Sequence, residues 1–140
     1  MKYMLDTNIC IHLMKHNPTV INAFENKKDD GVAISAITLA ELEFGVYNNA
    51  VHYEQNRVKL LSLLTLVGVL PFDGAAAAQY GIIYADLTQK RAQIGKMDAL
   101  IAAHAMSREL IIATNNTREF ERVNGLIIED WTCFHTRASV

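Results

Sequence analysis

The chain has 140 residues, 51% hydrophobic and 20% charged, with a formal net charge of −2. That is one domain with enough apolar residues for a core, and no apolar run reaches the roughly 20 residues of a membrane span. Two cysteines, Cys10 and Cys133, are too few for a disulfide framework or a thiolate metal site, and without a basic surplus any nucleic acid must be met by a local cationic rim.

Apolar periodicity and chain breakers predict the elements in order. Lys2–Leu5 reads as a strand, followed by helices over Asn8–Lys15 and Thr19–Asn26 with Asn17-Pro18 between them. After the break at Lys27-Lys28-Asp29-Asp30-Gly31 come a short strand, Val32–Ser35, and helices over Thr38–Tyr47 and His52–Thr65. Val69–Phe72 reads as a strand that Pro71 confines to a sheet edge. A long helix over Ala75–Arg91 and another over Ala99–Ser107 precede a buried strand, Ile111–Ala113, and a last strand, Leu126–Ile128. Short apolar strands separated by helices imply an α/β protein with a parallel sheet covered on both faces. The opening Met1-Lys2 to Asp6 does not read as a signal peptide, and Cys10 reads as a buried thiol, so a reduced cytoplasmic setting is expected.

Three acids stand at unusual places. Asp6 follows the first strand, where an α/β sheet delivers residues into its ligand crevice; it reads equally well as a helix N-cap. Glu41 lies beside a helix face defined by Ile37, Ala40 and Phe44, where a carboxylate is partly desolvated and needs a cation or a strong donor. Glu43, about 200° further round, reads as solvated. Asp98 opens the apolar helix Ala99-Leu100-Ile101-Ala102-Ala103-His104-Ala105, as an N-cap or as a residue that the preceding Gly95 turn aims inward. His104 reads as a hydrogen-bonded interior histidine, and Phe120 and Trp131 as packing residues. Thr114-Asn115-Asn116 follows another strand and falls near Asp6 if the two strands are neighbours; asparagine there can make a turn or supply a neutral oxygen ligand. Three carboxylates in one crevice make a site for a hard cation, and a hard cation beside phosphate points to nuclease chemistry. Candidate rim cations are Lys15, Lys90, Arg91, Lys96 and Arg118.

Four segments, Met4-Leu5-Asp6-Thr7-Asn8, Ser35-Ala36-Ile37-Thr38-Leu39-Ala40-Glu41-Leu42, Ile94 to Ala105, and Thr114-Asn115-Asn116-Thr117-Arg118-Glu119-Phe120, together resemble PIN domains, in order and spacing. The nearest resemblance is to the VapC toxin ribonucleases of bacterial toxin–antitoxin pairs. It implies a three-layer α/β/α domain with a five-stranded parallel sheet over residues 1–132, leaving a tail, 133–140, without assigned role. It implies RNA cleavage dependent on Mg²⁺ or Mn²⁺, inhibition of translation through a structured RNA such as the anticodon loop of initiator tRNA, and a cognate VapB-type antitoxin through which DNA is met indirectly. Carried over residue by residue, Asp6, Glu41 and Asp98 match the family's acidic metal site. Asn116 matches a position where many members have a fourth acid, which leaves one tightly held metal. Thr7 and Thr114 support the site, and Lys96 and Arg118 are candidates for RNA contact. Two rivals remain. A haloacid-dehalogenase-like phosphatase would use Asp6 as nucleophile but expects an acid where Asn8 stands, and a non-catalytic module would bind RNA or antitoxin only. Val51 to Leu70 is too apolar for one helix face to bury, which predicts a homodimer or antitoxin contact. The antitoxin is expected to lay an apolar segment beside Ile9–Met14 and Val20–Phe24 and to place a cation near Asp6 and Asp98.

Overall fold

The computed structural model describes residues 1–133. Five strands form one parallel sheet: β1 Tyr3–Leu5, β2 Val32–Ser35, β3 Gly68–Leu70, β4 Ile111–Ala113 and β5 Ile128–Glu129, in the order β3-β2-β1-β4-β5. Leu5 stands opposite Ile34 on one side and Ala113 on the other, so β1 is the central strand. The helices are α1 Thr7–Met14, α2 Pro18–Lys27, α3 Ala36–Tyr47, α4 Tyr53–Leu64, α5 Gly74–Gln89, α6 Lys96–Ser107 and α7 Thr117–Phe120, with a 3₁₀ turn at Lys28–Asp30.

Alternation along the strands divides the core between two faces. Tyr3 and Leu5 point into a cluster with Ile9, Phe24, Leu42, Leu60 and Trp131, roofed by α1 to α4. Met4 and Ile112 point the other way, onto Ile83, Leu87, Ile101 and Phe120 from α5, α6 and α7. A strand buried on both faces has no polar side to alternate with, which is why β1 and β4 are continuous apolar runs.

Polar residues start the helices. Asn17 accepts from the backbone N–H groups of Thr19 and Val20 ahead of Pro18, and Ser35 from that of Ile37 at 3.0 Å. Gly31 carries the chain into β2 at φ 93°, with Met1 Cα only 2.8 Å from where a Cβ would stand, so it meets both a conformational and a steric demand.

β3 is an edge strand as expected, but it runs Gly68–Leu70 and ends one residue before Pro71 instead of extending to Phe72. Four other details differ from expectation. Helix α6 begins at Lys96 behind Gly95, so Asp98 is its third residue and not its cap. Lys96 and Met97 are exposed, so no apolar period marked that first turn. The single-turn α7 was not foreseen, being too short to show periodicity. The last strand is Ile128–Glu129, its limits set by pairing with Ile112 and Ala113 across the sheet. Finally, α3 buries Thr38, Leu42 and Val46, while Phe44 is 67% exposed. This helix is apolar nearly all round, so its neighbours α1 and α4 decide which side goes in. The chain stays in the core as far as Trp131, whose ring meets Tyr3 edge-on; residues 134–140 of the expected tail lie outside the described residues. No described helix is long and apolar enough to cross a membrane.

Candidate active site

Parallel strands deliver all their carboxyl ends to one edge. From β1 the chain moves outward to β2 and β3, then crosses to β4 on the opposite side, so the order reverses between β1 and β4. The crevice at such a reversal is where open α/β sheets hold ligands. Asp6 follows β1 there and Thr114 follows β4, joined by the Asp6 N–H donating to the Ala113 carbonyl at 3.0 Å.

Asp6 is both cap and crevice residue. Its Oδ1 accepts the Ile9 N–H at 2.9 Å, capping α1, and its Oδ2 accepts the Thr114 hydroxyl. The carboxyl is 2% exposed. Burial outweighs the two donors and, with Glu41's charge nearby, pushes its pKa up to about 6. Glu41, on α3, is held by the Thr7 hydroxyl, which donates to Oε1 at 2.5 Å and ties α3 to α1.

Asp98 sits in the first turn of α6, where the helix dipole favours negative charge. Burial nevertheless raises its pKa to about 7, reinforced by a hydrogen bond to Glu119 and the charges of Glu119, Asp6 and Glu41. A hydrogen bond between two carboxyls needs a proton on one of them, and the raised pKa of Asp98 lets that carboxyl supply it. Glu119 is the residue sequence reasoning missed as a site member. It lay within the recognised segment Thr114 to Phe120, and Asn116 three positions before it was the available signal, since residues so spaced share one side of a helical turn. The structure shows that relation: Asn116 Nδ2 donates to Glu119 Oε2 at 2.9 Å, and the Asn116 N–H donates to Thr114 Oγ1 at 2.8 Å.

Asp6, Thr7, Glu41, Asp98, Thr114 and Asn116 are thus gathered at one edge with Glu119. Lys96 and Arg118 are exposed neighbours of Asp98 and Glu119 in sequence, but neither pairs with an acid among the described residues. Lys90 pairs with Asp86 at 2.7 Å, away from the rim role. No described lysine or arginine forms an ion pair with Asp6, Glu41, Asp98 or Glu119. As placed, no three histidine, cysteine, aspartate or glutamate side chains among the described residues stand close enough to enclose an ion. The donor set therefore fits an open, water-rich site, in which one or two carboxylates touch a hard cation and the others act through water, as Mg²⁺ is usually held. His104 is fully buried, shares a 2.8 Å hydrogen bond with Ser35 Oγ and meets the Phe72 ring edge-on, as an interior histidine does.

Beyond the crevice, α1, α2 and α4 enclose an apolar groove of about 360 Å³, lined by Leu13, Met14, Ile21, Phe24, Leu63 and Leu66. This is the place expected from Ile9–Met14 and Val20–Phe24. In the apolar stretch from Val51 to Leu70, Leu60, Leu63 and Val67 are buried, whereas Val58, Leu61 and Leu66 are more than half exposed.

Comparison with known proteins agrees with this fold. The PIN domain family model matches residues 3–126. The tRNA(fMet)-specific endonuclease VapC of Shigella flexneri is 43% identical over 132 residues, spanning 94% of this chain and 99% of that protein. In the crystal structure of VapBC2 from Rickettsia felis bound to a DNA fragment from their promoter, the matched chain superimposes with a TM-score of 0.89 at 39% identity, covering 94% of this chain and 99% of that one. DNA-bound VapBC from Salmonella typhimurium gives 0.87 at 40% identity, covering 94% and 98%. A parallel five-stranded sheet with four acids at the edge where β1 and β4 meet, matched over nearly its whole length by these proteins, places the chain in the PIN domain family, among the VapC ribonucleases.

Proposed function

We propose that the chain is a metal-dependent endoribonuclease toxin that cuts a structured RNA, initiator tRNA first among candidates, and is silenced by a VapB-type antitoxin. The observation that carries this reading is the set of four acids at the carboxyl edge with no side-chain cation to balance them. A bound Mg²⁺ or Mn²⁺ would supply a low-pKa water and charge stabilisation at the scissile phosphate. Asp6 and Asp98 are its direct ligands in this reading, with Glu41 binding directly or through water. Thr114 and Thr7 fix the orientation of Asp6 and Glu41, and Asn116 holds Glu119 against Asp98, so that its role is orientation of an acid rather than ligation. Water attacks phosphorus in line, the bond to the 3′ oxygen breaks, and the departing oxygen takes a proton, leaving a 5′-phosphate and a 3′-hydroxyl. An aspartyl-phosphate route fits poorly, because both Asp6 oxygens accept hydrogen bonds within a buried setting.

The RNA preference rests on the printed name of the Shigella flexneri relative. The antitoxin rests on the toxin–antitoxin complexes among the structural neighbours and on the apolar groove beside α1 and α2, a fit for an amphipathic helix. DNA is then contacted through the antitoxin. Exposed Val58, Leu61 and Leu66 offer surface for the antitoxin or a second copy, and the protein acts in the cytoplasm. Incubation of antitoxin-free protein with total RNA, with and without Mn²⁺, followed by sequencing of new 5′ ends, tests the reading. Cuts concentrated in one RNA class and dependent on metal support it; RNA left intact in Mn²⁺ refutes it.

A further inference from the structure

We infer that the recess beside Glu41, between α1, α3 and α4, is a nucleoside-binding subsite that takes one splayed base of the substrate RNA, with Lys15 and Lys59 on the flanking phosphates. The inference rests on the ribonuclease reading and says where that enzyme grips its substrate.

The recess holds about 180 Å³ and has Glu41 of the acid cluster in its wall. Ile11 and Met14 of α1 and Val46 of α3 give it apolar sides. Gly45 keeps it open: a Cβ there would meet nothing within 4 Å. Gly45 follows Glu41 by four residues, so it lies one turn along the same side of α3, about 6 Å up the axis. A base seated there adjoins a phosphate at the acids.

Apolar walls alone would suit many occupants; the cations choose among them. Lys15 and Lys59 both line the recess and are exposed, and neither pairs with an acid among the described residues. Lys27, Lys28, Arg57 and Lys90, by contrast, are each matched to a carboxylate. In a chain of net charge −2, two unmatched lysines flanking an apolar slot next to the acids complement a ligand that alternates charge with flat apolar faces. Unstacked single-stranded RNA has that alternation, phosphates along the backbone and bases turned out. Asn56, also in the wall, brings an amide donor and acceptor to a base edge.

The test is a coupling measurement by fluorescence anisotropy in EDTA, so that RNA stays intact. The probe is a fluorescein-labelled anticodon stem-loop of bacterial initiator tRNA, together with versions made abasic at one loop position each. Wild-type protein should lose about tenfold in affinity at one abasic position, the scale of a single stacking contact. Gly45→Leu should bind the intact loop about tenfold more weakly and be indifferent to that abasic change, while melting no lower than wild type, since leucine is the better helix former. Lys15→Gln and Lys59→Gln should each lower the slope of log affinity against log salt by about one phosphate contact. Additive losses from Gly45→Leu and the abasic change, or no sensitive position, overturn the proposal. So does a Gly45→Leu protein that binds RNA normally but escapes suppression by a co-expressed antitoxin, which would give the recess to the antitoxin. Wild-type cleavage in Mn²⁺ is scored in parallel: coupling without cleavage keeps the subsite and overturns the nuclease reading, and cleavage without coupling does the reverse.

Discussion

Glu41 and Glu43 stand two residues apart on α3 and meet opposite conditions. Glu43 faces α4, where Arg57 pairs with it at 2.7 Å, and the same guanidinium lies 5.2 Å and 5.5 Å from the Tyr47 and Tyr53 ring centres. The Arg57 hydrogen bond holds the Glu43 carboxyl below its ordinary range. Glu41 faces the sheet edge, where a threonine hydroxyl is its donor and two more acids, Asp6 and Asp98, are close enough to interact. The contrast extends across the molecule: Glu25, Asp86 and Glu129 each have a lysine, while the four acids at the carboxyl edge have none. Charge neutralised in place holds surface elements together. Charge left unneutralised in a desolvated crevice raises the pKa values of Asp6 and Asp98 and awaits a cation from outside.

The sharpest way to break this comparison is to remove charge from each side in turn. Asp98→Asn and Asp6→Asn should each lower RNA cleavage by a factor on the order of 10³ or more, the several kcal/mol a metal contributes at a phosphate. Asparagine caps helices as well as aspartate does, so Asp6→Asn should keep α1 and the circular dichroism spectrum, separating cap from chemistry. Cleavage near the wild-type rate in a folded Asp98→Asn protein would remove that residue from the site. A smaller effect is expected behind the acids. Asn116→Ala should weaken Mn²⁺ binding by about ten- to a hundredfold, the usual loss when a ligand's orienting partner goes. Asn116→Asp tests the orientation directly: ligand counting says affinity rises, whereas the bond to Glu119 Oε2 predicts a fall, because carboxylate would face carboxylate.

The pH dependence follows from the same crowding. Asp6 and Asp98, with ordinary values of 3.8, hold their protons to about 6 and about 7 in the fold. Between about pH 4 and pH 7 the native state therefore binds more protons than the unfolded chain, so stability of the metal-free protein falls as pH rises through that window. Thermal melts in EDTA should show a lower Tm at pH 8 than at pH 5, and Asp98→Asn should flatten the trend. A Tm that climbs over this range would show that the acids are not crowded as described. The smallest effect belongs to the paired side: Glu43→Gln should leave the cleavage rate within about twofold, as expected of a half-buried ion pair remote from the chemistry, and a large loss of activity would mean that the two glutamates are not so different after all.

Asp6, Glu41 and Asp98 were legible because each broke a local rule, a carboxylate at the end of an apolar strand or within an apolar helix. The parallel sheet was legible from its short doubly buried strands. What escaped was decided by contacts between distant segments. Glu119 breaks no local rule in sequence, and only the tertiary fold brings α7 close enough for Glu119 to meet Asp98. Which side of α3 is buried could not be read from a helix apolar on most of its circumference; α1 and α4 settle it. The first turn of α6 carries Lys96 and Met97 outward, so its start had no apolar mark.

Calorimetric titration of Mn²⁺ into antitoxin-free protein at pH 7.5, wild type beside Asp98→Asn, tests most directly whether the edge acids are built for a cation. One site is expected in the wild-type protein and its loss in the variant; repeated at pH 5.5, where Asp6 and Asp98 still hold protons, binding to the wild type should be weaker and should release protons. Equal Mn²⁺ binding by both proteins, or none by either, would contradict that expectation.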